Sequence, residues 1–572
     1  MPPPAYTAST ISVRETLDLL GGPFKAFALA FDHGEYAVWL GSGISRERVA
    51  ALDGVLSKLL EFVRTRVTGA PTCAYRLALD AILNIAALSP QEKARVNYAT
   101  PVGRWPDIKI ILLRLSQNYS DVLNVTVRGK QSDYLLWEAA DFVNTFANQE
   151  PDVEHLCIGM LALEGVATEL VTANWDGLLE AAIQELGYQI DFYRICVRGD
   201  DFRGPAAATK LLKFHGCALR AISEEAVYRP LLIARAPQII DWGANPDFAA
   251  IRQHMTNVAA QLRTLMIGMS AQDKNIQILF GVAKGLNAWK WTDAAPPHVF
   301  AEDTIGIGQR VILQVSYGND FDRNEVAILE RSRIQAYGKP LLIALVLNTL
   351  CSKCCALLAM AGAPTLTAAD YAALNSVVLR LRDLAAVQAE IEPLVFVRRL
   401  ARHFSRAKTI LQDGRCPTSA TVPYRSISTR PAHQMVNDPN LRITGQSEAA
   451  CGLALIGLGE ISNHWSITLN DLSDDKGGTL RLTSASGTAR IIMVANDNVA
   501  LQLFDGGVYD ESDGDAILLH SSHIRVARQR APSRSLGRKG KKSAGHIDIE
   551  DLLQQSSGLS DLQTRFRQRI GI

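Results

Sequence analysis

The chain lacks an excess of charge of either sign. It carries 59 Lys and Arg residues against 58 Asp and Glu residues, so its net charge is +1 at pH 7. This balance gives no overall field to attract nucleic acid or a membrane surface, so any charge-driven partner must meet a local patch. The first ten residues, MPPPAYTAST, contain no basic region and no apolar core. We therefore expect no secretion signal.

A long uninterrupted apolar run is also absent. The most apolar stretch starts at Leu341, and Asn348 and Lys353 interrupt it. It therefore predicts a buried helix and not a membrane-spanning one, and we expect no membrane partner. The nine cysteines are scattered and odd in number. Together with the missing secretion signal, they predict reduced thiols and a cytoplasmic protein.

The chain does have enough apolar residues to build large cores. With 572 residues, of which 48% are hydrophobic and 20% charged, about two to four globular domains are expected. Short apolar stretches predict strands at residues 36–40, 168–173, 209–214, 229–234 and 262–268. Because helical patterns separate them, residues 1–300 predict an α/β fold with a parallel sheet, and residues 50–165 predict a helical insertion in it.

The remainder of the chain changes character along its length. Residues 301–415 are mixed and then mainly helical, and a stretch rich in Pro, Ser and Thr predicts a linker near residues 415–435. Residues 436–522 predict a smaller β-rich C-terminal domain, with strands in HWSITLND, TLRLTS, ARIIMVA and ALQLFDGG. Residues 523–572 predict a basic, disordered tail followed by an amphipathic helix at about 548–569.

Four of the predicted strands end in small or polar residues. In chain order, the residues that follow these strands are Gly41-Ser42-Gly43-Ile44-Ser45, then Asn174 and Asp176, then His215, and finally Gly268, Ser270 and Asp273. Ligands of doubly wound sheets bind in the crevice beyond the carboxyl ends of the strands. The four stretches therefore fit a single site to which four strands contribute.

Each stretch also has a plain structural explanation. Glycines are common in strand–helix turns, and the first stretch lacks the third glycine of the dehydrogenase fingerprint. Asp176 fits as the cap of the following helix, and the segment after Gly268 fits as another capped helix start. A lone histidine such as His215 is usually structural, although histidine suits general-base work near neutral pH.

The order and spacing of the four stretches resemble those of the sirtuin (silent information regulator) family, and most closely its bacterial sirtuin-like branch in antiviral defence. The matching motifs are Gly-x-Gly-Ile-Ser, Thr-x-Asn-x-Asp-Gly-Leu, Lys-x-His-Gly and Gly-x-Ser-x-x-Asp. The resemblance covers residues 30–300 and implies a Rossmann-like parallel sheet that binds NAD+.

The resemblance also implies a role for each motif. Residues 41–45 hold the phosphates and the nearby ribose of NAD+. Asn174 and Asp176 hold the nicotinamide and its ribose, and His215 is the base. Gly268 and Ser270 contact the adenosine half, and Asp273 belongs to the same cofactor-binding motif.

Several departures from the protein-deacylating sirtuins change the expected activity. Those enzymes carry two Cys-x-x-Cys pairs after the histidine, whereas only Cys217 lies between the third and fourth motifs here. The single Cys-x-x-Cys, Cys351 to Cys354, lies far downstream and cannot alone close a tetrahedral zinc site, so no zinc is expected. Ala173 stands where the family has glutamine, and SRERVAALDG stands where a Pro-Asp-Phe-Arg stretch is expected.

These departures favour an NAD+ hydrolase that cleaves the nicotinamide–ribose bond and releases nicotinamide and ADP-ribose. The resemblance implies a gated effector of antiphage defence that acts by NAD+ depletion (abortive infection). The alternatives are an NAD+-dependent protein deacylase and a non-catalytic sensor or scaffold that binds NAD+ or ADP-ribose. The resemblance also implies assembly into a homo-oligomer or a hetero-complex with a sensor or activator: a short Argonaute with guide nucleic acid, a HerA-type ATPase or a phage protein.

One basic segment is a candidate for nucleic-acid contact. Residues 525–542 contain eight basic residues, from Arg525 to Lys542, and no acidic residue. Such a segment can neutralise phosphates, but it has no aromatic residue on which bases would stack. A solvated basic linker is the alternative interpretation.

Overall fold

The fold was analysed in a computed structural model. The structure describes residues 6–147, 150–292, 294–362, 364–417, 422–469, 477–510, 513–521 and 545–572. The basic segment from Arg525 to Lys542 lies outside these described residues. Its predicted contact with nucleic acid therefore stays a prediction.

The predicted α/β fold is confirmed. Seven strands form one parallel sheet: β1 (Tyr36–Leu40), β2 (Glu169–Thr172), β3 (Tyr193–Cys196), β4 (Thr209–Lys213), β5 (Arg263–Ile267), β6 (His298–Ala301) and β7 (Arg333–Ile334). Their order across the sheet is β3-β4-β2-β1-β5-β6-β7, and every neighbouring pair is parallel. Strand order reverses on either side of β1, as in a Rossmann-like sheet.

Helices cover the sheet and fill most of the chain between the strands. Those up to the end of β7 are α1 (Val13–Gly21), α2 (Lys25–Asp32), α3 (Leu52–Arg64), α4 (Ala74–Ile85), α5 (Pro90–Arg95), α6 (Ile108–Gln117), α7 (Tyr119–Asn124), α8 (Phe142–Phe146), α9 (Val153–Leu163), α10 (Leu178–Glu185), α11 (Ala218–Ser223), α12 (Glu225–Tyr228), α13 (Ala236–Asp241), α14 (Ala249–Gln261), α15 (Lys274–Leu286), α16 (Ile307–Tyr317) and α17 (Asn319–Ser332). The central strand β1 is buried at every residue, because helices pack on both faces of a parallel sheet.

The predicted helical insertion is confirmed in its helical character. The segment from α3 to α9 contains no strand among its described residues, and one of its turns, Leu135–Ala139, is a π-helix. The last helix, α9, is buried at every residue and packs against the long helix α18 (Gly338–Met360). This end of the segment is therefore part of the protein core.

The strand predicted at 229–234 is wrong. Residues Arg229–Leu231 form a short 3-10 turn, and Pro230 lies within it. Proline lacks an N–H to donate to a neighbouring strand, which disfavours an interior strand at this position. The structure instead adds β3, β6 and β7, which are short strands of two to four residues toward the two edges of the sheet.

The C-terminal half begins with a helical region of five helices, four of them long. They are α18, α19 (Ala368–Ala389), α20 (Pro393–Asp413), α21 (Ala432–Met435) and α22 (Gln446–Ile461). By length and composition α18 is apolar enough to cross a membrane, but 72% of its most apolar window is buried among other helices. The prediction of a buried helix here is therefore confirmed.

A second, smaller sheet confirms the β-rich C-terminal region. Its strands are β8 (Ser466–Leu469), β9 (Leu480–Thr483), β10 (Thr488–Met493), β11 (Ala516–His520) and β12 (Gly545–Asp548), in the order β12-β11-β10-β9-β8. The sheet is mixed, because β9 pairs antiparallel with β8 and β10, whereas β11 pairs parallel with β10 and β12. The remaining helices are α23 (Asp497–Asp505), α24 (Ile549–Gln555) and α25 (Leu559–Ile570).

Two local predictions in this region need correction. The segment ALQLFDGG, predicted as a strand, belongs to α23, because the Asn496 side chain accepts hydrogen bonds from the N–H groups of Asn498 and Val499 and starts a helix. The single terminal helix predicted at 548–569 is two helices, α24 and α25. Gly558, with φ of 159°, stands immediately before the second of them.

A buried ion pair joins the two halves of the chain. Lys353 of α18 is fully buried, and its Nζ lies 2.7 Å from the Glu164 carboxylate at the end of α9. The same Nζ donates to the main-chain oxygen of Ser428 at 2.6 Å. The hydroxyl of Tyr424 donates to Glu164 at 2.7 Å. The part of the predicted linker from residue 422 onward is therefore held against the first domain.

We expect Lys353→Met to lower the free energy of unfolding by about 3–5 kcal/mol, because it leaves the Glu164 carboxylate buried without its cation. The matched control is Arg398→Met, which breaks a pair with Glu185 whose side chains are both 29% exposed. It should cost about 1 kcal/mol or less. Urea unfolding measures both variants, and equal losses would contradict the assignment.

Candidate active site

The carboxyl ends of four neighbouring strands lie level with one another. Leu40 at the end of β1 pairs with Thr172 of β2 on one side and with Ile267 of β5 on the other. Thr172 in turn pairs with Lys213 at the end of β4. The candidate residues of the four motifs all follow this row of residues in the chain. The structure therefore brings them to one edge of the sheet.

The first and fourth motifs touch backbone to backbone. The N–H of Gly41 donates to the Ile267 oxygen, and the N–H of Gly43 donates to the Gly268 oxygen, both at 3.0 Å. A Cβ on Gly43 would lie 2.5 Å from the Cα of Gly268, and one on Gly41 would overlap the Gly268 carbonyl. The glycines are therefore required for loop–loop packing. Ser42 stays exposed beside this contact.

Asn174 is held in one orientation. Its Nδ2 donates to the main-chain oxygen of Gly41 at 3.2 Å and to Ser45 Oγ at 3.3 Å. Because a carbonyl oxygen only accepts, this contact fixes which end of the amide is nitrogen. No donor among the described residues reaches Oδ1 of Asn174. The amide oxygen is thus the open acceptor of this side chain.

Asp176 lies behind this amide and is only 6% exposed. Its Oδ2 accepts from the Ser45 hydroxyl at 3.1 Å, and its Oδ1 accepts from the N–H of Leu178 at 3.2 Å. Burial raises the pKa of Asp176, and the nearby ammonium of Lys213 opposes that rise. Asp176 therefore anchors Ser45 and the start of α10. Its predicted contact with a ribose stays a prediction.

His155 belongs to the same cluster, although the motifs do not include it. Its Nδ1 accepts from the N–H of Asp152 at 3.2 Å, so its Nε2 carries the proton and donates to Ser45 Oγ at 3.3 Å. Burial lowers the pKa of His155 to about 3, although the negative charge of Asp152 opposes this shift. The ring is therefore neutral. The Asp-x-x-His spacing ahead of an apolar helix is the sequence signal for such a cap.

A buried ion pair lies beneath the second and third motifs. Lys213 Nζ is 2.6 Å from Glu180 Oε1, and the two side chains are 1% and 0% exposed. The same ammonium donates to the main-chain oxygen of Asp176 at 2.5 Å. The pair therefore fixes the position of the loop that carries Asn174 and Asp176.

His215 is tied to that loop by its backbone. Its oxygen accepts from Trp175 Nε1 at 2.9 Å, and the Trp175 oxygen accepts from the N–H of Ala218 at 2.8 Å. Asn174 and His215 each lie two residues beyond the paired strand ends Thr172 and Lys213. These two candidate residues therefore emerge side by side.

Asp273 pairs with His215. Its Oδ2 lies 3.1 Å from His215 Nε2, and its Oδ1 accepts from the N–H of Asn275 and caps α15. Burial would raise the pKa of Asp273, but His215 and Asn275 together bring it below its usual value. No partner among the described residues reaches Nδ1 of His215. The carboxylate therefore lies at ion-pair distance from Nε2, although neither of the two contacting atoms completes a hydrogen bond, and the second ring nitrogen is open.

This pairing places Asp273 beside the third motif, and its predicted role in cofactor binding stays a prediction. Two strands separate β4 from β5, so their ends stand about 14 Å apart at the usual spacing of strands. The loop with Gly268 and Ser270 must therefore cross the ends of β1 and β2 to bring Asp273 to the histidine. Burial raises the pKa of Tyr119 in α7, and the nearby negative charge of Asp273 raises it further. The helical insertion therefore reaches this side of the crevice.

Other features of the chain lie away from this edge. A cavity of about 550 Å³, lined by residues of α3 and the π-helix, contains none of the candidate residues. Within the described ranges, no group of three or more His, Cys, Asp or Glu side chains is placed to hold a metal ion. Cys351 and Cys354 lie on the core helix α18.

No family model matches this chain, and no curated protein matches it.

The contact between the loops after β1 and β5 predicts that a side chain at Gly41 destabilises the fold. We expect Gly41→Ala to lower the free energy of unfolding by about 1–3 kcal/mol, because the added methyl overlaps the Gly268 backbone. Gly285→Ala in α15 is the control, since nothing lies within 4 Å of its Cβ position. It should raise stability by about 0.5–1 kcal/mol. Thermal unfolding distinguishes the two, and a neutral Gly41→Ala would refute the packing.

Proposed function

We propose that this chain is an NAD+ glycohydrolase, which releases nicotinamide and ADP-ribose. The observation that carries the proposal is that two hydrogen-bond acceptors without a donor among the described residues lie at the same edge of the Rossmann-like sheet. They are Oδ1 of Asn174, whose amide nitrogen is already bound, and Nδ1 of His215, whose other nitrogen faces Asp273. The four motifs that resemble sirtuins supply the assignment of NAD+ as substrate.

The proposed reaction needs a base and a fixed amide. Water attacks C1′ of the nicotinamide ribose, and a bond from its oxygen to C1′ forms as the bond from C1′ to the nicotinamide nitrogen breaks. The electron pair of the broken bond leaves with nicotinamide and neutralises its ring. His215 accepts a proton from the water through Nδ1, and Asp273 stabilises the imidazolium that results. Asn174 Oδ1 accepts a hydrogen bond from the nicotinamide amide, a ribose hydroxyl or the attacking water.

The buried cluster behind Asn174 acts as a positioning unit. Ser45 Oγ accepts hydrogen bonds from His155 and Asn174 and donates one to Asp176. Because these groups are fixed before the substrate arrives, little reorganisation is needed during the reaction. The Asp176 carboxylate also supplies negative charge near the developing positive charge of the ribose.

The sequence features that set this chain apart from deacylases favour hydrolysis. The two Cys-x-x-Cys pairs of the deacylases are absent after His215, and Ala173 replaces the usual glutamine. A free hydrolase would exhaust the NAD+ of its own cell, so the activity must be gated. By resemblance, we propose that the gate is a sensor partner of an antiphage defence system.

Replacing either open acceptor should abolish turnover. We expect Asn174→Ala and His215→Ala each to lower kcat by about 100-fold or more, because each removes a group at the reacting centre. This loss is measured by chromatography of the nicotinamide that each variant releases from NAD+. The control variants are Asn437→Ala, at an exposed position, and His464→Ala, at a partly exposed one; both should keep full activity. Full activity in both site variants would refute the assignment.

The role of Asp273 has its own test. We expect Asp273→Asn to lower kcat by about 10- to 1000-fold with little change in KM, because asparagine cannot stabilise the imidazolium. Asparagine still caps α15, so the urea midpoint should stay at the wild-type value. A variant with unchanged kcat, or one whose loss falls on KM alone, would show that Asp273 does not serve the base.

A further inference from the structure

A second cavity lies between the helical region and the smaller sheet. It has a volume of about 210 Å³ and is enclosed by α18, α20, α22 and strands of the second sheet. Its described lining is mostly apolar and includes Leu357, Phe404, Leu411, Leu453, Ile491 and Met493. None of the candidate active-site residues takes part in it. The cavity is therefore a separate site.

Access to this cavity is open at one side. Leu469 and Ala407 both line it, and both are solvent-exposed, Leu469 to 54%. An apolar lining that reaches solvent can admit a molecule without unfolding of the surrounding helices. A cavity of 150 Å³ holds benzene, so 210 Å³ accommodates one ring or a chain of roughly six to eight carbons.

A single lysine supplies positive charge to this apolar lining. Lys408 is the only Lys, Arg, Asp or Glu among the described lining residues. Its Nζ donates to the main-chain oxygens of Ser426 and Ile427, and no carboxylate among the described residues pairs with it. Burial lowers the pKa of Lys408 to about 8; Glu164 opposes this effect, and Arg425 and Lys353 add to it. An anion placed beside Lys408 would relieve this unfavourable position.

We propose that this cavity binds a small amphipathic carboxylate, with its chain or ring against the apolar lining and its carboxylate on Lys408. An apolar body needs the lining, and an anionic head needs an ammonium that no carboxylate among the described residues pairs with. This combination excludes neutral lipids and short polar acids as good ligands. The proposal does not depend on the NAD+ reaction, because it uses none of the same residues.

The test compares three probes on the full chain by titration calorimetry. Sodium octanoate carries both features, 1-octanol carries only the apolar chain, and sodium acetate carries only the carboxylate. We expect saturable binding of octanoate, at least tenfold weaker binding of octanol, and no binding of acetate at the same concentrations. Octanol binding as tightly as octanoate, or no saturable octanoate binding, would overturn the proposal.

Three variants locate the binding. Lys408→Met should weaken octanoate by about tenfold or more and leave octanol unchanged, because only the charged contact is lost. Ala450→Leu, at a buried lining position, should weaken both probes by filling the cavity. The control Lys58→Met, at an exposed lysine elsewhere, should bind octanoate like the wild type.

The Ala450→Leu result decides the outcome even if Lys408→Met fails to fold. Octanoate binding that is unchanged in Ala450→Leu would place the ligand elsewhere and overturn the proposal. Loss of octanoate binding in a folded Ala450→Leu variant, shown by an unchanged far-ultraviolet circular dichroism spectrum, supports it.

Discussion

A backbone contact that leaves no room for a side chain holds the centre of the molecule together. The loops that follow β1 and β5 meet through Gly43 and Gly268, whose closest approach excludes even a methyl group. This contact lies where the strand order of the sheet reverses, so it fixes the geometry of the crevice that opens there. The carbonyl of Gly41 then holds the amide of Asn174. The position of the candidate site therefore follows from the packing of glycine on glycine.

The hydroxyl of Ser45 extends this constraint to three further residues. It lies within hydrogen-bonding distance of His155, Asn174 and Asp176, and Ser45 and His155 are buried almost completely. Such a network is rigid, because each buried polar group would lose its partner if one member moved. The open acceptor Asn174 Oδ1 thus stands on a fixed base. A site of this kind is prepared for charge that develops during a reaction.

The sequence predicts the sheet and the convergence of the motifs for a clear reason. Apolar strands followed by small or polar residues mark the ends of parallel strands, and these ends share one edge. The failures also have physical causes. Residues 229–234 are apolar enough for a strand, but Pro230 removes a donor, and ALQLFDGG is made helical by the cap at Asn496. No motif predicts the part played by His155, because its contact with Ser45 spans 110 positions. Long-range pairs such as His215 with Asp273 are set by loop paths that periodicity does not encode.

Product identification tests the central claim most directly. The full chain, recovered from cells in which its partner has activated it, is incubated with NAD+ with and without an acetylated lysine peptide, and all nucleotide products are identified by mass spectrometry. The account predicts nicotinamide and ADP-ribose in equal amounts, formed without peptide and unchanged when peptide is added. O-acetyl-ADP-ribose formed only with peptide would contradict it, and so would NAD+ left intact by the activated chain and in phage-infected cells that express it.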